Sequence, residues 1–204
     1  MEINQIKSSN VCQTVLMFLL IVFLGVHPLL AQPLTSKKAL PDYLTQIQRT
    51  ADSVLKFSPN NARSYYIKIT RSIYDRALKI TMTESAIQSG TGNSGFTRAM
   101  VQLQYQLRAD LFPSSCKQTA TPIPDLFQRT VDAAMRNFSR YQQPKGLDRE
   151  RLYLWVMIQV FENLNQINAG FLQVGLSTKE KDQVWQRLKM QQQMIVQLKS
   201  KYER

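Results

Sequence analysis

The stretch Leu152 to Phe171 restricts this chain more than any other. Leu154, Met157, Ile158, Phe161, Leu164, Ile167 and Phe171 recur every three or four residues, and Leu152, Trp155, Val156 and Val160 widen the apolar stripe. That period is helical, and a helix apolar over so much of its circumference has to sit inside a bundle. Glu162, Asn163, Asn165, Gln166 and Asn168 interrupt the run, which excludes a membrane span. Its neighbours must therefore be other helices of the chain.

The rest of the sequence supplies them. Leu44, Ile47, Ala51, Val54 and Leu55 line one face of a first helix from Leu40, with Pro41 fitting its first turn. After Ser58-Pro59-Asn60-Asn61, a second helix carries Ala62, Tyr66, Ile69, Ile73, Ala77, Ile80 and Ile87 on one side and ends at Gly90. Its many β-branched residues allow a strand in a short window, but the period over the whole segment is helical. Phe96, Met100, Leu103, Leu107 and Leu111 make a third helix. Asp125 is expected to cap a fourth, with Phe127, Val131, Ala134, Met135 and Phe138 inward. Asp148 caps the central helix, whose end is expected to fray at Gly170 and Gly175. Ser177-Thr178-Lys179-Glu180 is a capping box that opens a last helix through Val184, Leu188, Ile195, Leu198 and Tyr202. The expected fold is all-α, a bundle of about six helices ending in a long C-terminal helical hairpin.

The front of the chain is of a different kind. Val15 to Leu24 is uncharged and apolar, Gly25 and Pro28 break it, and it reaches Leu29-Leu30-Ala31-Gln32. This is the layout of a secretory signal cleaved after Ala31. The expected organisation is a signal peptide at 1–31, a tail at 32–39 and a single helical-bundle domain at 40–204. The alternative is an uncleaved N-terminal anchor, since Val15 to Ala31 approaches the length of a span. Either way the chain is expected to act outside the cytoplasm, in the periplasm or secreted.

Composition narrows the chemistry. The sole histidine, His27, lies in the leader, so the exported part has no imidazole for a Ser-His-Asp or Cys-His site or a His-ligated zinc. Cys116 is its only cysteine, which rules out an internal disulfide. Acidic pairs such as Asp148/Glu150 and Glu180/Asp182 sit two apart at helix starts, where the macrodipole favours them, and do not converge on a metal. No metal or cofactor is therefore expected. Net charge is +12 and is unchanged by loss of the leader, because Lys7 and Glu2 cancel. Such a chain is attracted to anionic surfaces, acidic polymers or acidic proteins.

Three patterns are candidates for function. Tyr65-Tyr66-x-Lys68-x2-Arg71-x2-Tyr74-x-Arg76-x2-Lys79 interleaves aromatics with cations, and Lys68, Arg71 and Lys79 fall on one helical stripe. Charge plus stacking would suit an acidic polymer. Arg129, Arg136 and Arg140 form a second stripe at 7-4 spacing; the plain reading of both is a solvated helix face. Gln186, Gln191, Gln192, Gln193 and Gln197, with Lys189 and Lys199, make the last helix polar but weakly charged, as suits a face against a partner or a second copy of the chain. Gly90-x4-Gly95-Phe96-Thr97 has P-loop spacing, but Phe96 replaces the lysine that the phosphates require.

Glu84-Ser85, near a helix end and before a Ser/Gly loop, resembles the lytic transglycosylases, which place a single acid glutamate there. That resemblance implies a peptidoglycan-active hydrolase with Glu84 as general acid; the plain reading is a solvated glutamate. The layout as a whole, from Leu29-Leu30-Ala31-Gln32 to the hairpin turned by Leu176-Ser177-Thr178-Lys179-Glu180-Lys181-Asp182, resembles small exported components of conjugative transfer systems. This implies a non-enzymatic assembly factor and carries no site residues over. Basic periplasmic holdase chaperones are similar in being helical and cationic, but they carry a small β-body that is absent from this pattern. The expected role is thus a binding or assembly component with a protein partner in the cell envelope. Acidic polymers, an anionic membrane surface or a second copy through the last helix are the other expected contacts. N-terminal sequencing of the exported protein should begin at Gln32; a start at Met1 on membrane-bound protein would establish the anchored form instead.

Overall fold

The computed structural model describes residues 42–57, 61–87, 100–105 and 122–203. The leader, the tail, the glycine loop at 89–95, Cys116 and most of the expected third helix lie outside them. Five helices follow in order: α1 (Tyr43–Leu55), α2 (Ala62–Ile87), α3 (Asp125–Arg140), α4 (Arg149–Phe171) and α5 (Thr178–Tyr202). Residues 100–105 are also helical, with Met100 and Leu103 buried. The described residues contain no strand, so the fold is an all-α bundle.

The helix ends follow local chemistry. The Asp42 side chain accepts the Thr45 N–H at 3.1 Å, so α1 starts at Tyr43, later than the apolar spacing alone implied. Pro124, extended at φ −61° and ψ 137°, takes the N-cap of α3. Asp125 is therefore the first helical residue and not the cap; its charge faces the positive end of the macrodipole instead. Asp148 caps α4 as expected, accepting the Arg151 N–H at 2.8 Å. At α5 the Glu180 carboxylate accepts the Ser177 N–H at 2.8 Å while Ser177 Oγ accepts the Glu180 N–H at 3.4 Å, which completes the capping box.

α4 is the axis of the bundle. It packs against α1, α2, α3 and α5, and most closely against α5. The two form the C-terminal hairpin. Fourteen of its 23 residues are buried, too many for one stripe, which is why helices surround it. Around it lies an aromatic core. Tyr66 of α2 stacks on Phe171 with ring centroids 3.9 Å apart and planes 3° apart, and Phe127 of α3 lies 5.5 Å from the same ring. Gly170 does not fray α4. It lies within the helix, and a Cβ there would sit 2.8 Å from Thr130 Cγ2 of α3. A larger residue there would force Thr130 or the helices themselves to shift.

The interior also holds polar side chains, bonded in sets. The Tyr66 hydroxyl donates to Asn168 Oδ1 at 2.6 Å, Asn168 Nδ2 donates to Gln191 Oε1 at 2.8 Å, and Gln191 Nε2 donates to the Tyr74 hydroxyl. This chain runs α2–α4–α5–α2. A second set links Asn137 of α3 through Asn163 of α4 to the Tyr141 hydroxyl. Gln48 of α1 donates to the carbonyls of Phe138 and Tyr141, satisfying the open C-terminal end of α3. Burial raises the pKa of Tyr66 and Tyr74, so both act as neutral hydroxyls.

One charged pair ties the start of α2 to the start of α5. Arg63 Nε donates to Glu180 Oε1 at 2.7 Å and its Nη2 to Oε2 at 3.1 Å. The Arg63 hydrogen bond lowers the Glu180 pKa from 4.5 to about 2, with Ser177 adding to the effect. A depressed carboxylate stabilises the fold above its unfolded pKa and loses that contribution as pH falls through the folded one. Glu180→Gln should therefore lower Tm at pH 7, and the gap to the parent should close as pH falls from about 4.5 towards 2; thermal melts across that window check it.

Candidate functional site

The carboxylate singled out by sequence, Glu84, is fully buried near the C-terminal end of α2. It is not the solvated residue of the plain reading. The Tyr43 hydroxyl, at the first residue of α1, donates to its Oε2, and Arg149 Nε, at the first residue of α4, donates to the same oxygen at 2.9 Å. Arg149 Nη2 also donates to the Tyr43 hydroxyl at 3.3 Å, closing a triangle of three side chains from three helices. Tyr153, whose ring meets Tyr43 edge-on at 6.2 Å, approaches the Thr81 hydroxyl at 3.0 Å beneath it. Burial, with the Glu84 hydrogen bond, raises the Tyr43 pKa to about 12, so the phenol keeps its proton and stays a hydrogen-bond donor to the carboxylate.

The chemistry of this arrangement is that of a latch. A general acid needs a proton it can hand to substrate, from a position substrate can reach. Here the carboxylate has no exposed surface, carries a guanidinium partner and is already the acceptor for a phenol. What the triangle does is fix the first turns of α1 and α4 against the end of α2. The motif around Glu84 gave the residue; nothing in the local sequence gave Tyr43 or Arg149, which lie 41 and 65 positions away.

The six cations of the two stripes, Lys68, Arg71 and Lys79 on α2 and Arg129, Arg136 and Arg140 on α3, are all exposed. Arg71 and Arg136 lie 3.9 and 3.8 Å from Asp75 and Asp132, one turn away on their own helices. Exposed pairs of that length hold little energy. The other four pair with no carboxylate among the described residues. No hydrogen bond or ion pair among the described residues joins one stripe to the other, or either stripe to Glu84. The aromatic half of the α2 pattern is corrected: Tyr65, Tyr66 and Tyr74 are buried, so they pack the core and offer no stacking surface. Among the described residues only Phe57, beneath Lys68 Nζ at 5.5 Å, sets an aromatic ring beside a cation of the stripe.

The polar face of the last helix is likewise split. Gln191 turns inward to Asn168 and Tyr74, whereas Gln186, Gln192, Gln193 and Gln197 are exposed. Arg187, one turn earlier, is 3% exposed and donates, among the described residues, only to the Tyr66 hydroxyl, at 3.5 Å. Sequence reasoning passed over Arg187. Its place between Val184 and Leu188 on the apolar stripe was the available signal.

No group of three or more His, Cys, Asp or Glu side chains among the described residues is placed to hold a metal ion. No helix among them is long and apolar enough to cross a membrane. No protein-family model matches this chain, and neither a curated protein nor a solved structure does.

The latch makes an asymmetric prediction. Arg149→Met leaves the Glu84 carboxylate buried without its cation and should cost about 3 kcal/mol or more. Glu84→Gln keeps an acceptor for Tyr43 and frees an arginine that reaches solvent, so it should cost less. Urea denaturation of the two variants checks the order.

Proposed function

We propose that this chain is an exported, non-catalytic helical bundle that binds protein partners in the cell envelope, as assembly factors of conjugative transfer systems do. The observation that carries this reading is the division of charge. The carboxylate with the best claim to catalysis is sealed in the core, while Lys68, Lys79, Arg129 and Arg140 stand exposed and without carboxylate partners among the described residues. These cations project from helices whose opposite faces are core, so the surface they form is held rigid. An acidic partner surface is its complement, and attraction of this kind speeds encounter and sets orientation.

Export rests on the leader ending Leu29-Leu30-Ala31-Gln32, and the conjugative setting on the resemblance of the layout, chiefly over residues 150–204. The triple variant Lys68→Glu, Arg71→Glu, Lys79→Glu should retain its helical signal and its Tm to within a few degrees, because all three are exposed. Crosslinking in intact cells should then recover the parent's envelope partner with the parent and not with the variant. Equal recovery would remove the α2 stripe as the contact. Clearing of peptidoglycan by the purified protein, lost in Glu84→Gln, would overturn the non-catalytic reading altogether.

A further inference from the structure

We infer that the C-terminal hairpin carries a separate binding groove, and that its ligand is an acidic oligosaccharide. A cleft of about 690 Å³ opens between α4 and α5, within the roughly 300–1,000 Å³ typical of ligand sites. From α5 come Lys181, Trp185 and Lys189, each one helical turn from the next, so an indole stands between two ammonium groups on one stripe. The opposite wall is α4 and its C-cap, with Asn165, the small Ala169 and Leu172. The amides of Gln173 and Gln192 complete the polar lining, and the cleft has no carboxylate.

Three features set the chemistry of the ligand. Trp185 is 61% exposed; folding makes little use of its ring, which offers an apolar plane beside a polar N–H. Lys181 and Lys189 pair with no carboxylate among the described residues, whereas Lys199 further along α5 is neutralised by Glu162 at 2.7 Å. The two lysines at the cleft are thus available to an outside anion. The remaining polar groups are neutral amides, which donate and accept at once and so match hydroxyls.

Apolar ring faces, hydroxyls and carboxylates in one molecule describe a sugar chain with acidic units. Lys181 and Lys189 are eight residues apart, about 12 Å along the helix. Several linked rings span that distance and a single ring does not. An acidic amphipathic helix would need an apolar strip several turns long to lie on, and here the apolar residues, Ala169 and Leu172 on one wall and Trp185 and Leu188 on the other, cover about one turn of each, with Lys181 and Lys189 and the amides around them. The cleft lies on α4 and α5, so this reading stands or falls independently of the basic stripes.

The test is a fluorescence titration of the purified full chain with tetragalacturonate. The protein has two tryptophans; Trp155 packs edge-on to Tyr141 at 5.9 Å, and a Trp155→Phe variant leaves Trp185 as the sole reporter. A saturable change in its emission is expected, weakening as salt is added. Trp185→Ala, and separately Lys181→Glu with Lys189→Glu, should each weaken binding by about tenfold or more, read by calorimetry, with the Tm unchanged. Neutral maltotetraose should bind far more weakly. Absence of a saturable change overturns the proposal, as does undiminished binding by either variant. Equal binding of polyglutamate would show that charge alone is recognised, and self-association abolished by Trp185→Ala would show that a second copy covers the groove; each of these also overturns it.

Discussion

Everything in this bundle depends on α4 having no face it can leave in water. Leu152, Tyr153 and Leu154, each about 100° round from the last, point to different sides of the same helix, and all are buried. Burying such a helix gains about 25 cal/mol for each Å² of apolar surface removed from water. That gain is available only if several helices close round it. α1, α2, α3 and α5 do so, and each needs only one apolar stripe. The approach is limited by side-chain bulk, so α3 meets α4 closely where Gly170 presents no side chain to Thr130.

Apolar contact alone allows such helices to slide and rotate. The polar groups in the interior restrict that freedom. The Tyr66–Asn168–Gln191–Tyr74 chain satisfies each amide only in one register of α2, α4 and α5. At the far end of α2 the Glu84–Arg149–Tyr43 triangle fixes a second register against α1 and α4. At its near end Arg63 and Glu180 fix α5. A buried unsatisfied partner costs about 1–3 kcal/mol, so each displaced register carries that penalty. Two buried atoms among the described residues stand outside this scheme without a hydrogen-bond partner, Asn165 Oδ1 and Arg187 Nε.

The outer surface follows from this interior. Because the core takes the tyrosines of α2 and the inward glutamine of α5, what these stretches leave for solvent is the cations of the stripes and, on the hairpin, one exposed indole. Cations on stiff helices keep their spacing when a partner arrives, so little entropy is lost in arranging them. The same bundle can therefore present two surfaces of different chemistry, basic stripes on α2 and α3 and a mixed groove between α4 and α5, without either disturbing the core.

Sequence alone determined the helical class, the order of the helices, the capping of α4 and α5 and most of the aliphatic core positions. These are local matters: a 3.6-residue period and a cap spanning three positions are complete within a short window. It left open the fate of each polar residue on those helices. Glu84, Asn168 and Gln191 look like solvent residues in the chain, as Lys68 does, because nothing nearby in sequence reveals the partner that makes burial tolerable. Tyr65, Tyr66 and Tyr74 looked equally fit for stacking on a ligand. Only the tertiary structure decided these, by bringing Tyr43 and Arg149 to Glu84 and Phe171 to Tyr66. A polar group enters a core when a distant residue completes its hydrogen bonds, and that pairing does not exist until the helices have packed.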